Sequence, residues 1–453
     1  MNNIHFIAIG GAIMHQLALA LQRQGYKVTG SDDEINDPAK SNLAAAGILP
    51  PAHGWYPEKI TKNLDAIVLG MHAKADNPEL LRAKELGIAI YSFPQYMYEV
   101  SKNKQRVVVA GSHGKTTITS MIMHILKAKG IDFDYMVGAK VAGFDSSVRL
   151  SDAPLIVLEG DEYPASPEEP KPKIFFYRPH ISVLSGIAWD HINVFPTYDI
   201  YLQQFETYLR DKMEPGATLY YNGEDGEVKK VVASSAGQLH AVPYQMPAFH
   251  YEDGEAVLDT EEGPVPVSVF GRHNLLNMQA AVAVCTQLGI SKSDCYKAIA
   301  TFAGAAKRLE KLTEREGFVA YRDFAHAPSK LKATLDAVRE AYPDRALIAC
   351  FELHTYSSLN ETFLEEYAGS MDAADKAIVH FSHHAIALKG LPELETAAVK
   401  KYFMRDDLVV TDEKGKLETE VSKALAAAGK PVCLLLMSSG TFDGIDWNSL
   451  VSQ

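Results

Sequence analysis

Short apolar, β-branched runs alternate along the chain with amphipathic stretches of helical period, which predicts an α/β fold. Residues 4–9 predict a strand, Gly10-Gly11 a turn, and the stretch up to Gln24 a helix stopped by Gly25. Val28 leads into Gly30-Ser31-Asp32. Residues 65–70 and 88–91 predict further strands around a helix over 78–86, so residues 1–103 predict a small doubly wound sheet. The polar run Lys102-Asn103-Lys104-Gln105 predicts a linker.

Beyond it, residues 107–110 predict a buried strand. From Thr117 onward, Ile118, Met121, Ile122, Ile125 and Leu126 recur at helical spacing, and Gly130 can end the helix. Residues 154–158 and 181–185 predict strands, 164–173 a proline-rich loop, and 203–213 a helix; Tyr220-Tyr221-Asn222 closes another strand. Residues 237–270, punctuated by glycine and proline, predict small antiparallel strands, and 278–288 an apolar helix. A third α/β series follows. Strands are expected at 318–323, 346–351, 377–380 and 432–437, and helices at 328–342, 360–370 and 418–428. The punctuation predicts domains over 1–103, 104–303 and 304–453.

Composition narrows the class. The 453 residues carry a net charge of −13, and no basic tract interrupts the acidic residues. Nucleic acid and anionic membrane are therefore not expected as partners. The 4 cysteines show no metal or redox spacing, no basic leader with a cleavage site precedes the first strand, and no apolar run could span a bilayer. A cytoplasmic protein is expected.

Between the strand at 107–110 and its helix stand Gly111, Ser112, His113, Gly114, Lys115, Thr116 and Thr117. Strand, glycine loop and helix in that order build a phosphate cradle, because backbone N–H groups and the helix N-terminus converge on one spot. Lys115 can reach the β- and γ-phosphates, and the Thr116 hydroxyl can hold Mg²⁺. The alternative is an ordinary strand-to-helix turn that carries a lysine, but the flanking pattern favours a nucleotide triphosphate.

Other candidates have plainer alternatives. Glu159-Gly160-Asp161-Glu162 at a strand end can hold Mg²⁺ or form a solvated acidic turn. His191, after the strand at 181–185, fits a metal or phosphate role as well as a core histidine. Asn274 and Asn277, one helical turn apart, can cap the helix or hold an adenine edge. Gly10, Gly11 and Asp32 tempt a dinucleotide reading. It fails because Ala8 and Ile13 stand where the fingerprint wants glycine, though a phosphate-bearing ligand stays open there.

Taken in order, Gly111-Ser-His-Gly-Lys115-Thr-Thr, Glu159-Gly-Asp-Glu162, Asp190-His191, Gly271-Arg-His-Asn-Leu-Leu-Asn277, Arg308-x-Glu310 and Asp323-Phe-Ala-His326 resemble the Mur ligases. These are the ATP-dependent amide ligases of peptidoglycan metabolism. The resemblance covers essentially the whole chain and looks nearest the UDP-N-acetylmuramate branch. It implies a Rossmann-like UDP-sugar domain, a central P-loop ATPase domain and a mobile Rossmann-like third domain. A kinase or nucleotide switch would have no use for Arg308 and Asp323 supplied from a third unit.

The resemblance also implies roles. Lys115 and Thr116 handle the phosphates of ATP and Mg²⁺, Glu159 and His191 look like metal ligands, and Asn274 and Asn277 would hold adenine. Arg308 and Asp323 would reach phosphates and ribose, and His326 matches a position near the reacting centre. Some members carry a carbamylated lysine in the helix after the metal histidine. Residues 198–210 hold none, so no such modification is expected.

The implied acceptor is an amine: L-alanine, or the tripeptide L-Ala-γ-D-Glu-meso-diaminopimelate. His354-Thr355-Tyr356-Ser357-Ser358 lacks the arginines of the alanine-adding run, while the segment through Ser438, Ser439 and Gly440, with Tyr177-Arg178-Pro179, is similar to the tripeptide ligases. The tripeptide is the expectation, with backbone N–H groups of the Ser438–Gly440 loop meeting its carboxylates.

Overall fold

Alternating strands and helices pair as parallel sheets almost throughout the computed structural model, which describes residues 3–166, 169–252, 255–267, 269, 271–302 and 309–447. Contacts gather into two compact units. One joins Met1–Ile187, Leu202–Tyr244 and Ala280–Lys292; the other joins Ala188–Tyr201, Gln245–Gln279 and Ser293–Gln453. Most of the expected central domain thus shares a unit with the first, while its segments 188–201 and 245–279 pack with the C-terminal part. The boundary expected at 303/304 lies outside the described residues.

The first unit opens with a parallel sheet in the order Lys27–Ser31, Asn3–Ile7, Ala66–Leu69, Ala89–Ser92. Strand pleating sends Ile4, Phe6 and Val68 to one face and Ile7, Ile67 and Leu69 to the other, and each face has its own apolar cluster. The first of these continues into Val108, Ile156 and Leu158 of the second sheet. A fully buried guanidinium joins the two sheets. Arg106 donates to the carbonyls of Ser101, Lys102, Lys104, Tyr177 and Arg178 and pairs with Glu214 at 3.0 Å, which fixes the expected linker.

The first strand ends at Ile7, short of Ile9, because Ala8 adopts φ +66°. Ala8 N and Ile9 N then both donate to Ser31 O. The position where the dinucleotide fingerprint has glycine keeps the left-handed backbone without the glycine. Holding an L-residue there costs about 1–2 kcal/mol, whereas glycine adds about 0.5–1 kcal/mol of chain entropy and loses the buried methyl. These nearly cancel. Ala8→Gly should therefore stay within about 1 kcal/mol of wild type in urea unfolding, while the β-branched Ala8→Val loses about 2–3 kcal/mol. Equal midpoints for Gly and Val would contradict the strain.

The second sheet runs His240–Tyr244, Thr218–Asn222, Ile181–Leu184, Gln105–Ala110, Leu155–Glu159, Asp134–Met136, Val148–Arg149, antiparallel only at the last pair. His240–Tyr244 corrects one expectation: it joins this sheet in parallel, through the helix Gly226–Ser235 that Asp225 caps. Only Phe249–Glu252, Glu255–Thr260 and Gly263–Val267 form the expected antiparallel set. The helix Tyr198–Thr207 continues as a π-helical turn over Tyr208–Lys212, so the helical course passes the lysine-free stretch and ends on Lys212, whose ammonium lies over the Phe175 ring.

In the second unit a six-stranded sheet runs Glu310–Arg315, Phe318–Asp323, Val432–Met437, Ala346–Leu353, Lys376–Phe381, Val409–Thr411. Val432–Met437 lies between parallel neighbours with every residue buried, which explains its unbroken apolar run. The helix expected at 360–370 is a 3₁₀ segment, Glu361–Tyr367, capped by Asn360. Among the described residues no helix is long and apolar enough to cross a membrane.

Candidate active site

The strand Gln105–Ala110 delivers the glycine loop to the helix Lys115–Ala128. Gly111 has φ +125°, and a Cβ there would come within 2.3 Å of Ser185 Oγ. Gly114 stands at the helix N-cap with φ +79°. Ser112 N donates to Gly186 O at 2.9 Å, Ser185 Oγ donates to His113 O, and the His113 ring fills the space a Cβ on Gly186 would need. The neighbouring strand end thus clamps the loop, which leaves Lys115, Thr116 and Thr117 in the first helical turn.

Lys115 Nζ reaches Gly111 O and the nearly buried Glu162, each at 2.7 Å. Burial alone would lower this ammonium, but Glu162, Asp161 and Glu159 outweigh it and hold its pKa above the ordinary lysine value. Burial likewise opposes ionisation of Asp161, yet Lys173 and Lys115 bring its pKa down to about 2. Thr116 Oγ1 donates to Glu159 Oε1 at 2.7 Å, and Gly138 N donates to Glu159 Oε2 at 2.7 Å. The sequence 159–162 is therefore no solvated turn. A hydroxyl and a carboxylate, both hard oxygen donors, meet beside the phosphate loop and fit Mg²⁺, which takes one or two carboxylates and keeps its remaining sites for water and phosphate. Among the described residues no group of three or more His, Cys, Asp or Glu forms a metal cage.

In the second unit, Asp190 and His326 come together. Asp190 is 6 % exposed, with Lys330 Nζ at 3.3 Å and His326 Nε2 at 3.7 Å. Burial would raise this carboxyl, but Lys330 leads the groups that hold it well below the ordinary range. His326 Nδ1 donates to Phe324 O at 2.8 Å, so Nε2 is the atom that faces Asp190. His191 takes φ +57°, with its N–H on Asp190 Oδ1 at 2.7 Å; a non-glycine residue held in that region is a frequent mark of a functional site. Nothing in the sequence pattern singled out Lys330, in the first turn of the helix Pro328–Ala341 that follows His326.

Asn274 and Asn277 lie on one face of the helix Arg272–Gln287, Asn277 Nδ2 pointing to Asn274 Oδ1 at 3.5 Å. Asp323, expected to contact ribose, has both oxygens engaged: Oδ2 accepts from Leu309 N, and Oδ1 from Ala325 N and Thr334 Oγ1. Its first task is to close the turn after its own strand. Arg308 lies outside the described residues. Burial lowers the nearby His273, with Asp323 opposing.

His354, Ser438, Ser439 and Gly440 also gather, at the ends of the paired strands Ala346–Leu353 and Val432–Met437. The loop departs from expectation. Gly440 N donates to Ser438 Oγ at 2.6 Å and Phe442 N to the buried Glu352 Oε2 at 2.8 Å, so both amides turn inward, one to a hydroxyl and one to a carboxylate. In the first unit Gly10 N donates to Asp32 Oδ2 at 2.6 Å, and a Cβ on Gly10 would sit 2.9 Å from that oxygen. Gly10 and Asp32 thus close on each other, while Gly11 O accepts from His15 N at the start of the helix, and desolvation pushes the buried Asp32 carboxyl up.

With this geometry in hand, comparison with known proteins is decisive. Residues 3–105 match the description "Mur ligase family, catalytic domain", 109–285 "Mur ligase middle domain", and 307–440 "Mur ligase, glutamate ligase domain". The chain belongs to the Mur ligase family. It is an ATP-dependent acid–amino-acid ligase. A UDP-N-acetylmuramate–L-alanine ligase of Arthrobacter sp. (strain FB24) is 30% identical over 389 residues, 84% of this chain and 81% of that one. Among solved structures, the UDP-N-acetylmuramate:L-alanyl-γ-D-glutamyl-meso-diaminopimelate ligase of Neisseria meningitides is 26% identical, with TM-score 0.60 over 67% of this chain and 98% of that one. The UDP-N-acetylmuramate–alanine ligase of Thermotoga maritima, 19% identical, shares the fold with TM-score 0.72 over 100% of both chains. The Mur ligase fold accounts for the three α/β series and for the phosphate loop at the start of the second.

Proposed function

We propose that this Mur ligase joins the lactyl carboxylate of UDP-N-acetylmuramate to the amine of L-Ala-γ-D-Glu-meso-diaminopimelate. The carboxylate attacks the γ-phosphorus of ATP, giving an acyl phosphate and ADP. The amine then adds to the acyl carbon, loses a proton, and expels inorganic phosphate. Repulsion between carboxylate and triphosphate is the main obstacle, and Lys115, kept charged by its acidic neighbours, reduces it. Thr116, Glu159 and His191 would hold Mg²⁺. When bound, that ion supplies charge neutralisation at the phosphates. The UDP-sugar is assigned to the Gly10-Gly11 turn with Asp32, and adenine to Asn274 and Asn277. Arg308 and Asp323 would face phosphate and ribose, and His326 the reacting centre.

One observation carries the acceptor assignment: His354-Thr355-Tyr356-Ser357-Ser358 presents no arginine for a small amino-acid carboxylate, and a serine-glycine loop stands beside it. The sequence relatives named for L-alanine addition support L-alanine as the second reading. The deciding measurement is kcat/KM for each acceptor, by ADP release at fixed ATP and UDP-N-acetylmuramate. The tripeptide should win; an advantage for L-alanine of about tenfold, about 1.4 kcal/mol of transition-state binding, would reverse the assignment.

A further inference from the structure

The inward-turned loop of the second unit has a single organiser. Glu352 is the penultimate residue of the strand Ala346–Leu353, two residues before His354, and is 1 % exposed. A carboxylate at that depth needs donors. Ser438 Oγ donates to Glu352 Oε2, and Phe442 N donates to the same oxygen at 2.8 Å. Ser438 Oγ in turn accepts from Gly440 N at 2.6 Å. On the other side, His354 Nδ1 lies 3.7 Å from Glu352 Oε1. Gly440 leaves room for that imidazole: a Cβ there would stand 2.6 Å from His354 Nδ1 and 2.8 Å from Glu352 Oε2. One buried anion thus ties the 438–442 turn to the strand end and sets His354 against bare backbone. The imidazole stays 37% exposed, so it can meet a ligand while Glu352 cannot.

The location has a topological basis. Val432–Met437 inserts between Phe318–Asp323 and Ala346–Leu353 and runs parallel to both, so the segments after Leu353 and Met437 stand side by side at the C-terminal edge of the sheet. That is where parallel α/β sheets receive ligands.

We infer that Glu352 is a positioning residue for the amine acceptor. It shapes the turn and the imidazole that meet the acceptor, and has no part in binding ATP or the UDP-sugar. The inference rests on the ligase reading proposed above. Glu352→Gln keeps the volume and, with its carbonyl at the Oε2 position, can still accept from Ser438 Oγ–H and Phe442 N–H, but it removes the charge and turns an NH₂ toward His354 Nδ1. Ser438→Ala removes one arm of the tie and keeps the other. Glu352→Asp keeps the charge at shorter reach.

The test is steady-state kinetics of the full chain with ATP, UDP-N-acetylmuramate and whichever acceptor the wild type uses best, alongside thermal unfolding of each variant. Glu352→Gln should raise the acceptor KM about tenfold or more, Ser438→Ala by about two- to fivefold, and Glu352→Asp should fall between them, with the other two KM values within about twofold of wild type. A uniform rise in all three KM values, or a loss of kcat at unchanged acceptor KM, would overturn the inference in favour of a general structural role. If Glu352→Gln does not fold, Ser438→Ala and Glu352→Asp decide, and an unchanged acceptor KM in both overturns it. A wild type that turns over no acceptor defeats the ligase reading, and the inference with it. That result is distinct from normal wild-type turnover with unaltered variants.

Discussion

Lys115→Ala should lower kcat/KM for ligation by about 10²–10³-fold, the loss expected when a preorganised group facing developing phosphate charge is removed. The structure adds a second effect that the loop sequence does not show. Lys115 is a 2.7 Å partner of Glu162, which is 1 % exposed, so the alanine variant takes a cation away from a buried carboxylate. Breaking a buried pair from one side costs about 3–5 kcal/mol of stability, so a drop in activity could reflect unfolding as well as lost chemistry. The remedy is to neutralise the partner. Lys115→Ala combined with Glu162→Gln should recover most of the melting temperature and none of the turnover. Restored turnover in the double variant would remove Lys115 from the phosphate-handling role. Bound ATP is expected to draw the lysine from Glu162 toward phosphate, the pair holding it charged and extended meanwhile.

That pair shows where sequence reading reaches its limit. Gly111 to Thr117 was legible because strand, loop and helix are consecutive, and each step has its own local signal in β-branching, glycine and helical period. Glu162 belongs to a recognisable acidic run, but its pairing across 47 positions depends on two strand ends lying side by side. The same limit hid Glu352, whose partners lie 86 and 90 residues downstream, and Lys330, which meets Asp190 across 140. Local ambiguity caused the fold errors. His240–Tyr244, with its proline, reads as a hairpin strand, and only the capped helix Gly226–Ser235 shows that it returns in parallel. Ala8 is a different case. Its departure from the glycine fingerprint was visible, but its φ of +66° shows that the turn survives and only the residue changed. The Ser438–Gly440 loop follows a strand end, as its pattern suggests, whereas the Gly440 amide turns to the Ser438 hydroxyl, which in turn donates to a carboxylate that no short pattern includes.

Glu159→Gln should raise the Mg²⁺ concentration for half-maximal activity by about 10–100-fold at saturating ATP, the range seen when groups that bind or orient metal ligands are altered. The glutamine keeps size and can still accept from Gly138 N, so the local fold should hold while the charge is lost. Thr116→Val makes the complementary change. It removes the hydroxyl that donates to Glu159 Oε1 and preserves shape at a 5 % exposed position, so the same half-saturation should rise with little change in melting temperature. If both residues serve one ion, the two shifts should fall short of additive when combined, because the second substitution removes a contact the first has already weakened. His191→Ala should move the same parameter, and the KM for UDP-N-acetylmuramate should stay within about twofold in every variant. Unchanged Mg²⁺ half-saturation in Glu159→Gln and Thr116→Val would make their 2.7 Å contact a structural brace between helix and strand end, and the ion's ligands would have to be sought elsewhere.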